Sequence, residues 1–157
     1  MLGRGCAFTG HRRIDQADFG RLKQRLSETV ESLASDGIEI FYCGGAVGFD
    51  ALAAEIVLEK RDRLGIKLCM VLPYAHYEDG FTPDQRIRYE RIFASADEKV
   101  TVSTKSDKNA YHFRNRYMID RAEVCVAYLT HSGSGTAYTV GYAEKKEVSV
   151  INLAESI

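Results

Sequence analysis

Apolar residues along this chain fall into two alternating rhythms. Short, nearly unbroken apolar runs occupy residues 5–9, 38–43, 67–72 and 124–129, and read as strands buried on both faces. Residues 99–103 and 148–153 give two further strands, the first more polar and so nearer a sheet edge. Between the runs, apolar positions recur every three or four residues. Phe19, Leu22, Leu26, Val30 and Leu33 mark a helix over 16–35, which Gly37 ends. Leu52, Ala53, Ile56 and Leu58 mark a second over 50–64, stopped by Gly65. Thr82-Pro83-Asp84-Gln85 combines a capping Thr, Pro at the first helical position and Gln three residues after the cap. The helix that follows carries Ile87, Tyr89, Ile92 and Phe93. Helices over 111–122 and 136–144 complete the series.

Strands separated by helices of ten or more residues predict a parallel sheet covered on both faces. The expected class is α/β: a Rossmann-like, doubly wound, mainly parallel sheet of five to six strands with helices on both faces. No repeat, low-complexity tract or linker divides the chain, so residues 1–157 read as a single domain. Ligands of such sheets bind beyond the carboxyl ends of the strands. Four segments fall at that end: Gly10-His11-Arg12-Arg13, two Gly-rich turns, and a loop over 73–81 rich in Tyr, His and Asp.

Composition narrows the class. Hydrophobic content of 45% and charged content of 27% suit a globular domain. No apolar run approaches the roughly 20 residues that span a bilayer, so no membrane partner is expected. Met1-Leu2-Gly3-Arg4-Gly5 leads straight into the first strand, which predicts no signal peptide and a cytoplasmic location. Cys6, Cys43, Cys69 and Cys125 form no C-x-x-C pair, and read as buried free thiols with no metal site. Net charge is −1, so nucleic acid is not expected as a partner.

The Gly-rich turns carry the chemistry. The first holds Gly44, Gly45, Ala46 and Gly48, with Asp50 at the helix start as an N-cap or as an acceptor for a ribose hydroxyl. The second is Ser132-Gly133-Ser134-Gly135-Thr136, with Thr136 placed to cap the last helix. Glycine lets backbone approach a ligand closely, and a helix start offers free N–H groups and partial positive charge. Arg12 or Arg13, beside His11, can pair a phosphate bidentately or form a solvated turn. Arg114 and Asn115, near the start of their helix, face the ligand if the preceding loop folds over the site. Arg86, Arg88 and Arg91 read as a solvated face. Neither Gly-x-Gly-x-x-Gly after the first strand nor a P-loop is present.

Together Ala7-Phe8-Thr9-Gly10-His11-Arg12, Gly44-Gly45-Ala46-Val47-Gly48-Phe49-Asp50-Ala51, Arg114-Asn115-Arg116-Tyr117-Met118 and Ser132-Gly133-Ser134-Gly135-Thr136 resemble the SLOG superfamily. That group includes YpsA-like proteins, DprA and the LOG phosphoribohydrolases, and the likeness is to the YpsA-like branch. It covers nearly the whole chain. It implies a Rossmann-like domain that binds a nucleotide or nucleotide derivative at the strand ends. The LOG branch also carries a Glu that assists N-glycosidic cleavage, and the likeness puts Thr139 at that position. A Thr hydroxyl does not titrate near neutrality and cannot serve as acid or base there.

The resulting expectation is a sensing or regulatory module for a nucleotide or ADP-ribose-like ligand, with no cofactor required. A nucleotide N-glycosidase and a DprA-like nucleic-acid module are the alternatives, with Asp50 or Glu144 as substitute carboxylates for the first. A homo-oligomer is left open, with Tyr138 and Tyr142 as interface candidates. The sequence names no protein partner.

Overall fold

The structure is a computed structural model that describes residues 3–157. Met1 and Leu2, part of the segment read as lacking a signal peptide, lie outside the described residues. Strands β1 (Gly5–Gly10), β2 (Ile40–Cys43), β3 (Lys67–Leu72), β4 (Glu98–Thr101), β5 (Val124–Tyr128) and β6 (Ser149–Asn152) form one sheet. Its order is β4-β3-β2-β1-β5-β6, and every neighbouring pair is parallel. Helices α1 (Phe19–Ser35), α2 (Phe49–Leu64), α3 (Pro83–Ser95), α4 (Lys108–Asp120) and α5 (Gly135–Lys145) link the strands. From β1 the chain steps outward to β4, then returns through α4 to the other side of β1. The order reverses between β1 and β5, and the loops leaving those two strands open a crevice there.

The strands are apolar on both faces because both are covered. Cys6 and Phe8 of β1, Phe41 and Cys43 of β2, and Leu68, Met70 and Leu72 of β3 share one core with α1, α2 and α3. The intervening Ala7, Ile40, Tyr42, Cys69 and Val71 meet Met118 and Ile119 of α4 and Ala143 of α5 on the other side. This period of two is what a pleated strand imposes. Helix α2 is flanked by α1 and α3, which explains why Ala51 to Ala54, Ile56 and Val57 are all buried. Phe8 stacks on Phe41 and meets Phe49 edge-on. Each such large side chain contributes about 1.5–3 kcal/mol by leaving water.

Local signals set the helix starts. The Thr82 box forms in both directions: Gln85 N–H donates to Thr82 Oγ1 (3.2 Å), and Thr82 N–H donates to Gln85 Oε1 (2.9 Å). Strand β4 lies at the edge, as its polarity predicted. Helix α4 begins three residues before the predicted start, because Asp107 caps it by accepting from Ala110 N–H (3.1 Å). Arg114 therefore lies in the second turn of α4, not near its start. Helix α5 is capped by Ser134 rather than Thr136, through Ala137 N–H (3.1 Å). Among the described residues no helix is long and apolar enough to cross a membrane.

Candidate functional site

A cavity of about 340 Å³ opens at the crevice between β1 and β5. Gly10, His11 and Arg12 reach it from the end of β1, and Ala46 and Asp50 from the first Gly-rich turn and α2. Tyr111, Arg114 and Asn115 reach it from α4, and Ser134, Gly135 and Thr136 from the start of α5. Gly44, Gly45, Gly48, Ser132 and Gly133 do not line it.

The two Gly-rich turns have different roles. The glycines of the first are pressed against protein. At Gly48 (φ +78°) a Cβ would overlap the Arg12 carbonyl, so only glycine lets the β1 loop lie against the start of α2. At Gly44 a Cβ would displace Arg114 and Asp50, and at Gly45 it would press on Leu72, Met70 and Tyr89. At Gly133 and Gly135 nothing lies within 4 Å, so the second turn has open space before it. The N–H groups of Gly135 and Thr136, the first two of α5, have no helical acceptor. Ser134 Oγ accepts from Ala137 N–H, and its own proton remains free to donate.

Asp50 and Arg114 form the buried polar centre, each only 6% exposed. Asp50 is not the cap of α2; Gly48 is. Its Oδ2 accepts from Ala46 N–H (3.3 Å). Burial pushes its carboxyl up to about 6, against the opposing pull of the Arg114 and Arg12 cations and the backbone N–H groups. Arg114 Nη1 donates to the Gly44 carbonyl, and Nε donates to Asn115 Oδ1 (2.7 Å). That pair fixes the guanidinium at the mouth of the first turn. Arg12 is exposed, and its one hydrogen bond among the described residues is a long one to the Tyr77 hydroxyl (3.4 Å). Both guanidiniums lie near the Tyr111 ring, 5.9 and 5.8 Å from its centroid. Neither forms an ion pair within 4.0 Å among the described residues, although both act on the buried Asp50 carboxylate; the exposed Arg12 is the one left open to an anion.

His11 stitches the rim together. Its Nε2 accepts from Thr130 N–H (2.9 Å), its carbonyl from Phe49 N–H (3.2 Å), and its own N–H donates to Tyr128 O (3.3 Å). Burial and the stacked His131 ring hold its pKa below the ordinary histidine value, so Nε2 keeps its lone pair.

Thr139 is 1% exposed and donates to the Gly135 carbonyl (3.0 Å), inside its own helix. Glu144 is exposed and away from the cavity; Asp50 is the carboxylate that lines it. Sequence reasoning missed Phe8, Thr9, Tyr111 and Met118 as lining residues. In the sequence Tyr111 is only the first residue of the expected helix over 111–122. It lies in the first turn of α4 and lines the cavity beside Arg114 and Asn115. His76, Glu78 and Asp79 bring potential ligand atoms within 4.8 Å of one another, but Asp79 pairs with Arg86 (3.7 Å) and none of the three lines the cavity.

The YpsA family model, the YspA SLOG family, matches residues 7–152. A UPF0398 protein of Bacillus thuringiensis is 25% identical over 134 residues, spanning 83% of this chain and 73% of that protein. DNA processing protein A from Helicobacter pylori superposes with a TM-score of 0.67 at 20% identity, over 95% of this chain and 64% of that one. The Streptococcus pneumoniae protein of the same name gives 0.68 at 17% identity, over 94% and 49%. This chain thus spans about two thirds or less of these solved chains, and what is shared at such identity is the fold.

One expectation is overturned. The Helicobacter pylori protein has a single-stranded DNA binding mode, so the fold is used on nucleic acid, and a net charge of −1 does not exclude that partner. The physical reason is that phosphates meet local charge, not the sum over the chain. Arg86 and Arg88 are paired with Glu90 and Glu55, whereas Arg12, Arg13 and Arg114 gather at one sheet end without carboxylate partners among the described residues. With a match from β1 to β6 and all four motifs inside it, this chain belongs to the YpsA-type SLOG family.

Proposed function

We propose that this chain binds a phosphate-bearing, nucleotide-derived ligand in the 340 Å³ cavity, in a sensing or regulatory role. The observation that carries the reading is the convergence of two arginines that form no ion pair within 4.0 Å among the described residues with the free N–H groups of Gly135 and Thr136. A phosphate at the start of α5 would gain the helix dipole and at least one charge-assisted bond from Arg12 or Arg114. Ser134 would donate its hydroxyl proton, and Asp50 would accept from a ribose hydroxyl. The Thr139 position offers no carboxylate for LOG-type hydrolysis. Asp50 is the one carboxylate lining the cavity among the described residues, so release of free base from AMP would assign Asp50 a catalytic role in place of a binding one. A cytoplasmic location belongs to the same reading, since four free buried thiols suit a reducing compartment.

Isothermal titration with AMP, ADP-ribose and NAD tests the proposal. Saturable heat with at least one, lost in Arg12→Ala, supports it; no heat across the panel refutes it. A single-stranded DNA partner is the second reading, favoured by the fold neighbour from Helicobacter pylori. Binding of an oligonucleotide whose affinity falls steeply with added salt would select it, because neutralised phosphates release counterions.

A further inference from the structure

The loop after β3 carries one short 3₁₀ turn, Tyr77–Gly80, outside the cavity. Asp79 N–H donates to His76 O (3.1 Å) and Phe81 N–H to Glu78 O (3.0 Å), so the backbone there is held. Tyr77 points inward. It is buried, its ring meets Tyr74, Phe81 and Tyr111, and its hydroxyl accepts from Arg12 (3.4 Å). The residues on either side of it bring different chemistry together. The possible donor atoms of His76, Glu78 and Asp79, one imidazole nitrogen and two carboxylate oxygens, all lie within 4.8 Å of one another. Ligands of one ion stand at most about 4.2 Å apart, twice a bond of about 2.1 Å, so the widest pair has about 0.6 Å or less to close. His76 and Asp79 are exposed and free to turn that far.

Two further observations concern what this turn is for. Glu78 is half-buried, yet among the described residues its carboxylate has no hydrogen-bond donor and no cation within 4.0 Å. A carboxylate drawn out of water is ordinarily paired or bound to a metal. His76 is held in the left-handed region (φ 60°, ψ 30°), which residues with a Cβ disfavour. The other described non-glycine residue with positive φ, Glu147, sits just past the end of α5, where that conformation is common. No helix ends at His76, and strain without such a cause collects at ligand clamps. Arg86 lies 3.7 Å from Asp79, but this is a loose surface pair. Arg86 Nε also donates to Glu90 (3.1 Å), so Asp79 can turn away without stranding it.

We propose that His76, Glu78 and Asp79 form a site for one divalent cation of the zinc class. An imidazole nitrogen suits such borderline metals, whereas calcium and magnesium take oxygen ligands. Two carboxylates balance the two charges of the ion, and three protein ligands leave a position for water. Neither the cavity nor the four buried cysteines takes part, so the site stands apart from whatever the cavity binds. The cation clamps the turn from outside, on the side opposite to Tyr77.

Isothermal titration of the full chain with Zn²⁺, and separately with Ca²⁺ and Mg²⁺, tests the site. Zn²⁺ should bind saturably and more tightly than either hard cation. Glu78→Gln and Asp79→Asn, which keep the side-chain shape, should each weaken Zn²⁺ by more than about tenfold, the loss that disturbing even a metal's outer shell brings. His76→Gly should do the same while the metal-free melting temperature holds or rises, since glycine takes this φ freely. Arg86→Ala removes a competing cation and should leave Zn²⁺ affinity equal or higher. Hydrogen exchange over residues 76–81 should slow when Zn²⁺ is added to the wild type and stay unchanged in the three ligand variants. No saturable Zn²⁺ binding would overturn the proposal, and Ca²⁺ bound as tightly as Zn²⁺ would overturn the metal class. Zn²⁺ binding that survives His76→Gly and disappears in His131→Ala would move the metal to the stacked His11–His131 pair and overturn the assignment.

Discussion

Replacing Asp50 by Asn should stabilise the protein at neutral pH. The carboxyl is buried among Ala46, Cys43 and Arg114, and its pKa lies at about 6, compared with 3.8 when unperturbed. Desolvation of the charge outweighs the pull of Arg114 and Arg12. The sign follows from proton counts. Between pH 3.8 and about 6 the folded state holds a proton that the unfolded state has released, so stability falls as pH rises. The loss is complete above about pH 7 and absent below about pH 3.5. A shift of about two units amounts to about 3 kcal/mol. Asn has the same shape, accepts from Ala46 N–H through its amide oxygen and carries no charge to desolvate. Urea denaturation of both proteins from pH 4 to pH 8 measures the difference. The variant should match wild type at the acid end and exceed it by about 3 kcal/mol at pH 7.5, or about 6–12 °C in Tm. A variant less stable at pH 7.5, or a difference that does not vary with pH, would show that the two arginines outweigh burial. A measured stability cost of that size would support the ligand role proposed for Asp50.

Three further substitutions separate scaffold from site. Gly48→Ala should destabilise by about 2 kcal/mol or more, because φ is +78° and the new Cβ meets the Arg12 carbonyl; an unchanged melting temperature would refute the packing role given to this turn. Gly135→Asp should leave the melting temperature within about 2 °C, since the space before it is open, yet weaken AMP or ADP-ribose more than tenfold by placing a carboxylate where phosphate would sit; retained affinity would move the phosphate elsewhere. Arg114→Ala should lower stability by about 1–3 kcal/mol by stranding the buried Gly44 carbonyl, whereas Arg12→Ala should leave denaturation curves unchanged and reduce ligand affinity alone; equal stability losses would contradict the division between them.

The sheet was legible because its signal is local and redundant. Each central strand is an apolar run, each helix a periodic one, and Thr82-Pro83-Asp84-Gln85 encodes its own cap. Errors fell where the signal is a single polar residue. Asp107 starts α4 among Lys, Asn and Ser with no apolar rhythm, and Ser134 competes with Thr136 for one cap two residues away. At the site, sequence identified residue types but not their division of labour. Gly44 and Gly135 look alike in a string. One is wedged against Arg114 and the other faces open space, a difference made by α4 folding across from 70 residues away. Tyr111 carries no motif, and enters the site only because four separate segments converge.

Those loops converge on His11, and the consequence is mechanical. One residue accepts from Thr130 N–H through its ring and from Phe49 N–H through its carbonyl. The turn after β5 and the start of α2 are thereby tied to the turn after β1, so the rim behaves as a latched ring. The latch is made with a lone pair. A proton on His11 Nε2 takes that lone pair away and unties the β5 turn, and the depressed pKa keeps the ring shut to lower pH than an ordinary histidine would.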